Sequence, residues 1–155
     1  TQLIQWNCHG NPNQTFSPPG PVASLTATAS DAVLAGDMVL VGGAVGVPNN
    51  GENFNNTDGA SNTNNSATFT FTVSESGTYQ VKGYVNGDSG NDDSFWIQVD
   101  GQPANGTRWN TRNSGGYGWN VAPGTFVLEP GVHTVTLSMR EDGTFVQNLE
   151  LELVL

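Results

Sequence analysis

The chain has 155 residues and a formal net charge of −10, with four Lys plus Arg against fourteen Asp plus Glu. So few basic side chains form no cationic stripe, which excludes a nucleic-acid partner held by its phosphates and equally an anionic membrane surface. The length fits one domain able to bury a core, no apolar run reaches the length of a membrane span, and Cys8, the single cysteine, excludes an intrachain disulfide and is expected to be buried.

Residues 1–21 differ in character from the rest of the chain. TQLIQW has the makings of a strand, but NCHGNPNQTFSPPGP reads as turn and linker, with Pro18 and Pro19 in tandem. The segment is expected to be a linker or an N-terminal arm, and residues 22–155 to form the domain. SLTATAS sets Leu25, Ala27 and Ala29 against Thr26, Thr28 and Ser30. DAVLAGDMVLVGGAVGV is apolar and reads as two short strands, or as one bent at Gly36. PNNGENFNNTDGASNTNNS is a long polar loop without strand pattern. ATFTFTV is a strand of period two, with Ala67, Phe69, Phe71 and Val73 on one face and threonines on the other. TYQVKGYV continues it, with Tyr79, Val81, Gly83 and Val85 sharing one parity.

After the polar turn NGDSGNDD comes SFWIQVDG, in which Phe95, Ile97 and Val99 alternate with Ser94, Trp96 and Gln98. Trp96 is expected to be covered by a neighbouring loop or by the N-terminal arm. RWNTRNSGGYGWN then reads as a Gly- and Asn-rich loop carrying Trp109, Tyr117 and Trp119. His133, Val135, Leu137 and Met139 share a parity, and so do Leu149, Leu151, Leu153 and Leu155, with Glu150 and Glu152 opposite. His133 is therefore expected to be a hydrogen-bonded core histidine. Short strands, frequent turns and no helical period predict an all-β protein, a β-sandwich jelly roll of two antiparallel sheets.

The loop aromatics are the leading binding residues, because flat rings on a rigid scaffold stack on the C–H faces of sugars at little entropic cost. Trp119 has the alternative of closing the end of the core. Phe54, alone among asparagines, is a second wall for such a site or a pin for its loop. Arg140, Glu141 and Asp142 occupy a turn, and Arg140 offers a donor fork that suits either a ligand or a turn-stabilising acid. Arg108 and Arg112 flank the aromatics and leave an anionic glycan conceivable, against which stands the net charge. Catalysis finds little support: the adjacent acids Asp92–Asp93 and Glu141–Asp142 are no pair facing across a cleft, and no nucleophile elbow is present. His9 beside Cys8 makes no zinc site.

In order and spacing, SGTYQVKGYV, DSFWIQVDG, PGTFVLEPGVHTVTLSMREDGT and the closing leucine strand resemble carbohydrate-binding modules of the family 6 and 35 kind, over roughly residues 23–155. The resemblance implies a galactose-binding-like jelly roll, a non-catalytic module of a secreted enzyme or surface protein, and a polysaccharide or oligosaccharide partner. It places an aromatic from the loop in the binding cleft, with Trp119 or Tyr117 matching best; Asn120, Arg140 and Asp142 are read from the residues themselves as the polar contacts. Phe145 stands where such modules often carry a sugar-binding Asn, which is a departure. The modules usually hold a structural calcium on carboxylates; here Thr28, Ser30 and Gln147 replace those acids, and hydrogen bonds among the three are expected instead of the ion. Asp88, Asp92 and Asp93 form a different acidic turn, either a weak calcium site or simply solvated turn residues. The expected molecule is a secreted or cell-surface, monomeric module of a larger protein. A structural subunit that assembles through a free strand at residues 1–21 is the rival reading.

Overall fold

The computed structural model describes residues 25–49, 55–111 and 115–154. Twelve strands succeed one another in chain order: β1 Leu25–Thr28, β2 Val33–Ala35, β3 Val39–Val41, β4 Ala44–Gly46, β5 Ser66–Val73, β6 Gly77–Gly87, β7 Ser94–Val99, β8 Gln102–Asn110, β9 Gly118–Val121, β10 Phe126–Leu128, β11 Gly131–Met139 and β12 Thr144–Val154. They form two antiparallel sheets, and the helical content among the described residues is two single 3-10 turns, Ala29–Asp31 and Ala60–Asn62. The all-β sandwich is thus the observed class. The expectations for residues 1–21, Cys8, Phe54, Arg112 and Leu155 lie outside the described residues.

The seven-stranded sheet is built around β6 and β12. β9 and β10 both pair with the free edge of β6; β1 and β4 both pair with the far edge of β12, and β3 continues beyond β4. The five-stranded sheet runs β2-β5-β11-β7-β8. Alternation decides which residues go inside, since successive side chains on a strand point to opposite faces. Phe69 and Phe71 of β5, Val81 and Val85 of β6, Phe95 and Ile97 of β7, Val135 and Leu137 of β11, and Leu149 and Leu151 of β12 are buried between the sheets. Thr68, Thr70 and Thr72 of β5 and Glu150 and Glu152 of β12 take the opposite parity.

Two readings of the chain change. The apolar stretch from Val33 to Gly46 is three short strands rather than one or two, because Gly36, at φ +64°, and the Gly42–Gly43 pair, at φ +59° and +78°, turn the chain twice. The segment around Trp109 is no loop: Trp109 belongs to β8 and pairs with Phe95. β8 is a polar edge strand, QPANGTRWN, with a register shift against β7, so it lacks the hydrophobic alternation that announces a strand.

Trp109 is 1% exposed, and its ring crosses the interior toward the opposite sheet. There it occupies a notch left by Gly83 of β6: a Cβ at Gly83 would lie 2.6 Å from Trp109 Cη2, 3.0 Å from Val85 Cγ1 and 3.2 Å from Leu149 Cδ2. The indole Nε1–H donates to Asn120 Oδ1 of β9 at 2.7 Å, so the one polar atom of the ring is satisfied.

His133 sits at the rim of the core, not within it. Its side chain is 15% exposed, Nδ1 lies 2.7 Å from Asp100 Oδ2, and Nε2 lies 2.7 Å from the Glu129 carbonyl oxygen. With an acceptor at each ring nitrogen, only the imidazolium donates to both. The hydrogen bond to Asp100, reinforced by the Glu129 carbonyl, raises the His133 pKa above its ordinary 6.5.

Two outcomes are expected. Gly83→Ala forces the Trp109 ring or the β6 backbone to shift and should lower stability by about 1–3 kcal/mol in urea denaturation. The contribution of His133, whose folded pKa is raised, is fully present below pH 6.5 and is lost as pH rises through the folded value. Denaturation midpoints measured at successive pH values should therefore fall in that window for the wild type, with a flatter profile for His133→Gln.

Candidate functional site

Trp109 and Asn120 facing inward have a consequence for the outer surface. Asn120 pairs with Gly83, and Trp119 pairs with Tyr84. By strand alternation Trp119 and Tyr84 both point away from the core, onto the outer face of the seven-stranded sheet. Tyr117 joins them from the turn before β9. Tyr84 stacks on Tyr117 with centroids 5.7 Å apart and planes inclined by 25°. Trp119 tilts against Tyr84 at 5.5 Å and 51°. Trp119 remains 47% exposed, and burial raises the Tyr117 phenol pKa. Three rings from two adjacent strands and one turn thus form a single stacked cluster on this face. The alternative that Trp119 closes the end of the core does not hold.

The same face continues along β6 and β12. Phe145 pairs with Asn86, and Asn148 with Tyr84, across a bulge between Val146 and Asn148. The Phe145 ring lies over Gly46, where a Cβ would meet Phe145 Cδ1 at 2.7 Å. Beside it opens a hollow of about 250 Å³ lined by Pro48, Asn49, Asn86, Asp88, Gly143 and Phe145. Asn86 Oδ1 is buried there without a protein hydrogen-bond partner. An unmet acceptor of this kind costs about 1–3 kcal/mol unless a donor from solvent or ligand reaches it. From Asn86 to Lys82 the strip measures about 13 Å at roughly 3.3 Å per residue.

Lys82 closes the other end. Its ammonium lies 3.7 Å from Glu150 Oε2, 3.4 Å from Glu152 Oε2 and 6.0 Å from the Trp119 ring centroid. Gln80 Nε2 donates to Glu152 Oε2 at 2.8 Å. That hydrogen bond, with the help of the Lys82 charge, lowers the Glu152 pKa and keeps the carboxylate ionised.

The predicted site residues divide accordingly. Tyr117 and Trp119 come together on the outer face. Trp109 does not join them: a ring buried in the core has no face to offer a ligand. Asn120 points inward and its carbonyl oxygen is taken by Trp109. Arg140 and Asp142, 6% and 2% exposed, are buried in their turn and are not surface contacts. Arg140 Nη1 donates to Ser94 Oγ at 2.7 Å and to Glu141 Oε1; Ser94 Oγ in turn donates to Glu141 Oε2, and the guanidinium packs 5.9 Å from the Trp96 ring. The turn also holds the polar loop. Asn56 N donates to the Arg140 carbonyl at 2.6 Å, and Trp96 Nε1 to the Asn56 carbonyl at 2.9 Å. Trp96 is therefore covered by that loop, as expected, and the turn-stabilising reading of Arg140 is the structural one. Tyr84, Asn86, Asn148 and Lys82 are the site residues that sequence reasoning missed. Their signal was an aromatic and amides on the polar parity of β6 and β12.

Of the hydrogen bonds expected among Thr28, Ser30 and Gln147, one forms. Thr28 Oγ1 and Ser30 Oγ share a hydrogen bond of 2.8 Å, and Thr28 Oγ1 also donates to Asp31 Oδ2 at 2.8 Å. Gln147 takes no part and sits at the bulge of β12. Asp31 Oδ2 accepts from both the Thr28 N–H and its hydroxyl. In the acidic turn Asp92 Oδ2 accepts from Ser89 Oγ at 2.6 Å, and desolvation, with the Glu141 charge beside it, raises the Asp93 pKa toward the neutral form. Among the described residues no three His, Cys, Asp or Glu side chains converge on a metal-sized site.

No protein-family profile matches the sequence, and no curated protein does. Solved structures do match in fold. The C-terminal family 6 carbohydrate-binding module of LamC, a marine laminarinase from Zobellia galactanivorans, aligns over 84% of this chain and 99% of its own length, with a TM-score of 0.58 and 14% identity. A family 35 carbohydrate-binding module from Clostridium thermocellum aligns over 82% of this chain and 97% of its own, with a TM-score of 0.59 and 16% identity. The Podospora anserina mannanase of the GH26-CBM35 type aligns over 85% of this chain at TM-score 0.62 and 13% identity, and the chain spans 28% of that enzyme. The chain thus shares its fold with carbohydrate-binding modules of families 6 and 35.

Removing one partner of the buried Arg140–Glu141 pair leaves a charge uncompensated. Glu141→Ala should cost about 3–5 kcal/mol in equilibrium denaturation, far more than a surface ion pair.

Proposed function

We propose that the chain is a non-catalytic module that binds polysaccharide on the outer face of its seven-stranded sheet and so holds a secreted or cell-surface protein on its substrate. The observation that carries this reading is the ring cluster of Tyr84, Tyr117 and Trp119, rigidly seated on the sheet with the largest ring half exposed. Exposed rings clustered on a soluble β face mark an interaction surface, and the amides of Asn86 and Asn148 beside them suit hydroxyl groups. The fold shared with a laminarinase module and a mannanase module supports the same class of partner. No helix among the described residues is long and apolar enough to cross a membrane.

A binding rather than catalytic role agrees with where the acids are. Asp100 holds His133, Glu141 is buried against Arg140, and Glu150 and Glu152 hold Lys82. None of these faces a second carboxyl across a cleft, as glycoside hydrolysis requires. Affinity is modest on this reading, because a shallow surface buries little of each sugar. The role within a larger protein and the monomeric state belong to the same proposal.

The test is affinity electrophoresis and calorimetry against mannan, laminarin and other neutral polysaccharides. Trp119→Ala should weaken binding by roughly tenfold or more, on the scale of the about 1–3 kcal/mol that a base gains by stacking on an aromatic ring. The melting temperature should barely change, and a chelator should leave binding intact. Undiminished affinity in Trp119→Ala would overturn the assignment of the face.

A further inference from the structure

Among the described residues, which leave out Arg112, the cations are placed so that the ring face has none to spare. Arg108 projects from β8 on the outer side of the other sheet, where it pairs in register with Trp96, and its Nε–H donates to Asn110 Oδ1 at 2.6 Å. Arg140 is buried against Glu141 and Ser94. His133 belongs to the rim of the five-stranded sheet and is held by Asp100. Among the described residues, Lys82 alone puts a positive charge on the ring face, and two carboxylates hold it. With Asp88 at the hollow, the strip carries one positive charge against three negative ones.

Recognition of a uronate or a sulfate ester needs the opposite arrangement. A desolvated anion requires a cation or several N–H donors free to meet it, preferably a guanidinium fork. Here an incoming anion would meet the Glu150 and Glu152 carboxylates around the one ammonium. What the strip does offer is neutral: ring faces at Tyr84, Tyr117 and Trp119, and amides at Asn86 and Asn148.

Resting on the polysaccharide reading of this face, we infer that its ligand is an uncharged glycan, and that Glu150 and Glu152 enforce this by sequestering Lys82. The pair of glutamates acts as a specificity device, excluding charged glycans without touching the sugar's apolar faces. Their energetic value to the fold is small, as for exposed ion pairs generally. Their placement on outward positions of β12, both within reach of one lysine on β6, is what keeps that lysine from serving as an anion site.

The experiment compares wild type with Glu150→Gln/Glu152→Gln, using the whole chain and four probes: laminarin, mannan, polygalacturonate and carrageenan. Runs at about 0.05 M and about 0.5 M salt separate electrostatic from stacking contributions, since the screening length shortens several-fold between them. Wild type should bind at least one neutral probe and neither anionic one. The double variant should gain binding to an anionic probe at low salt, by roughly tenfold, and lose it at high salt; adding Lys82→Met to the variant should abolish the gain. Wild-type binding to polygalacturonate or carrageenan that Trp119→Ala removes would overturn the inference while leaving the module reading intact. A folded double variant, checked by its melting curve, with no gain on either anionic probe would remove the role given to the two glutamates. Failure of all four probes with wild type would instead sink the polysaccharide reading, and this inference with it.

Discussion

The seat of Trp109 is the contact on which the rest of the architecture depends. A strand of the five-stranded sheet sends its largest side chain across the core into a gap at Gly83 of the seven-stranded sheet, and the indole N–H finds Asn120. The gap exists because one residue of β6 lacks a Cβ. The hydrogen bond then fixes the register face of β9: with Asn120 turned inward, Trp119 must turn outward. A packing requirement of the interior therefore sets the chemistry of the exterior. The surface ring cluster is rigid because the strand that carries it is pinned from below by a buried aromatic.

A second constraint governs the loop end of the sandwich. Arg140, Glu141 and Ser94 form a buried hydrogen-bonded group that ties the end of β11 to the start of β7. Through the Asn56 contacts the same group anchors the polar loop over Trp96. Buried ion pairs of this kind add little net stability compared with apolar packing, but breaking one by removing a partner is costly. The turn that on sequence grounds offered a donor to a ligand instead spends that donor on shaping the loop beside the hollow.

The difference between the two ends of the acid–base inventory is also physical. Lys82 and its glutamates are outward on neighbouring strands, so they remain partly exposed and serve the surface. Arg140 lies where β11 ends under a covering loop, so it is withdrawn from the surface altogether. Neither distribution can be read from net charge. A chain with so few cations owes its surface electrostatics to which of them the fold leaves outside.

Strand identity and facing were legible in the sequence wherever one face was apolar and the other polar, as in β5, β6, β7, β11 and β12, because a period of two leaves a single burial choice. That pattern determined the sandwich and most of its core, while Tyr117 and Trp119 stood out as aromatics in a Gly- and Asn-rich segment. What it left undecided was everything governed by contacts between distant segments. β8 is polar, so nothing local announced that Trp109 was in a strand pointing inward. Tyr84 sits on the polar parity of β6, and only the pairing with β9 sets it beside Trp119. Arg140 and Asp142 read as surface turn residues until the loop at Asn56 folded over the turn. Local alternation fixes which way a side chain leaves its strand, while only tertiary packing decides whether solvent, a second sheet or a covering loop is waiting there.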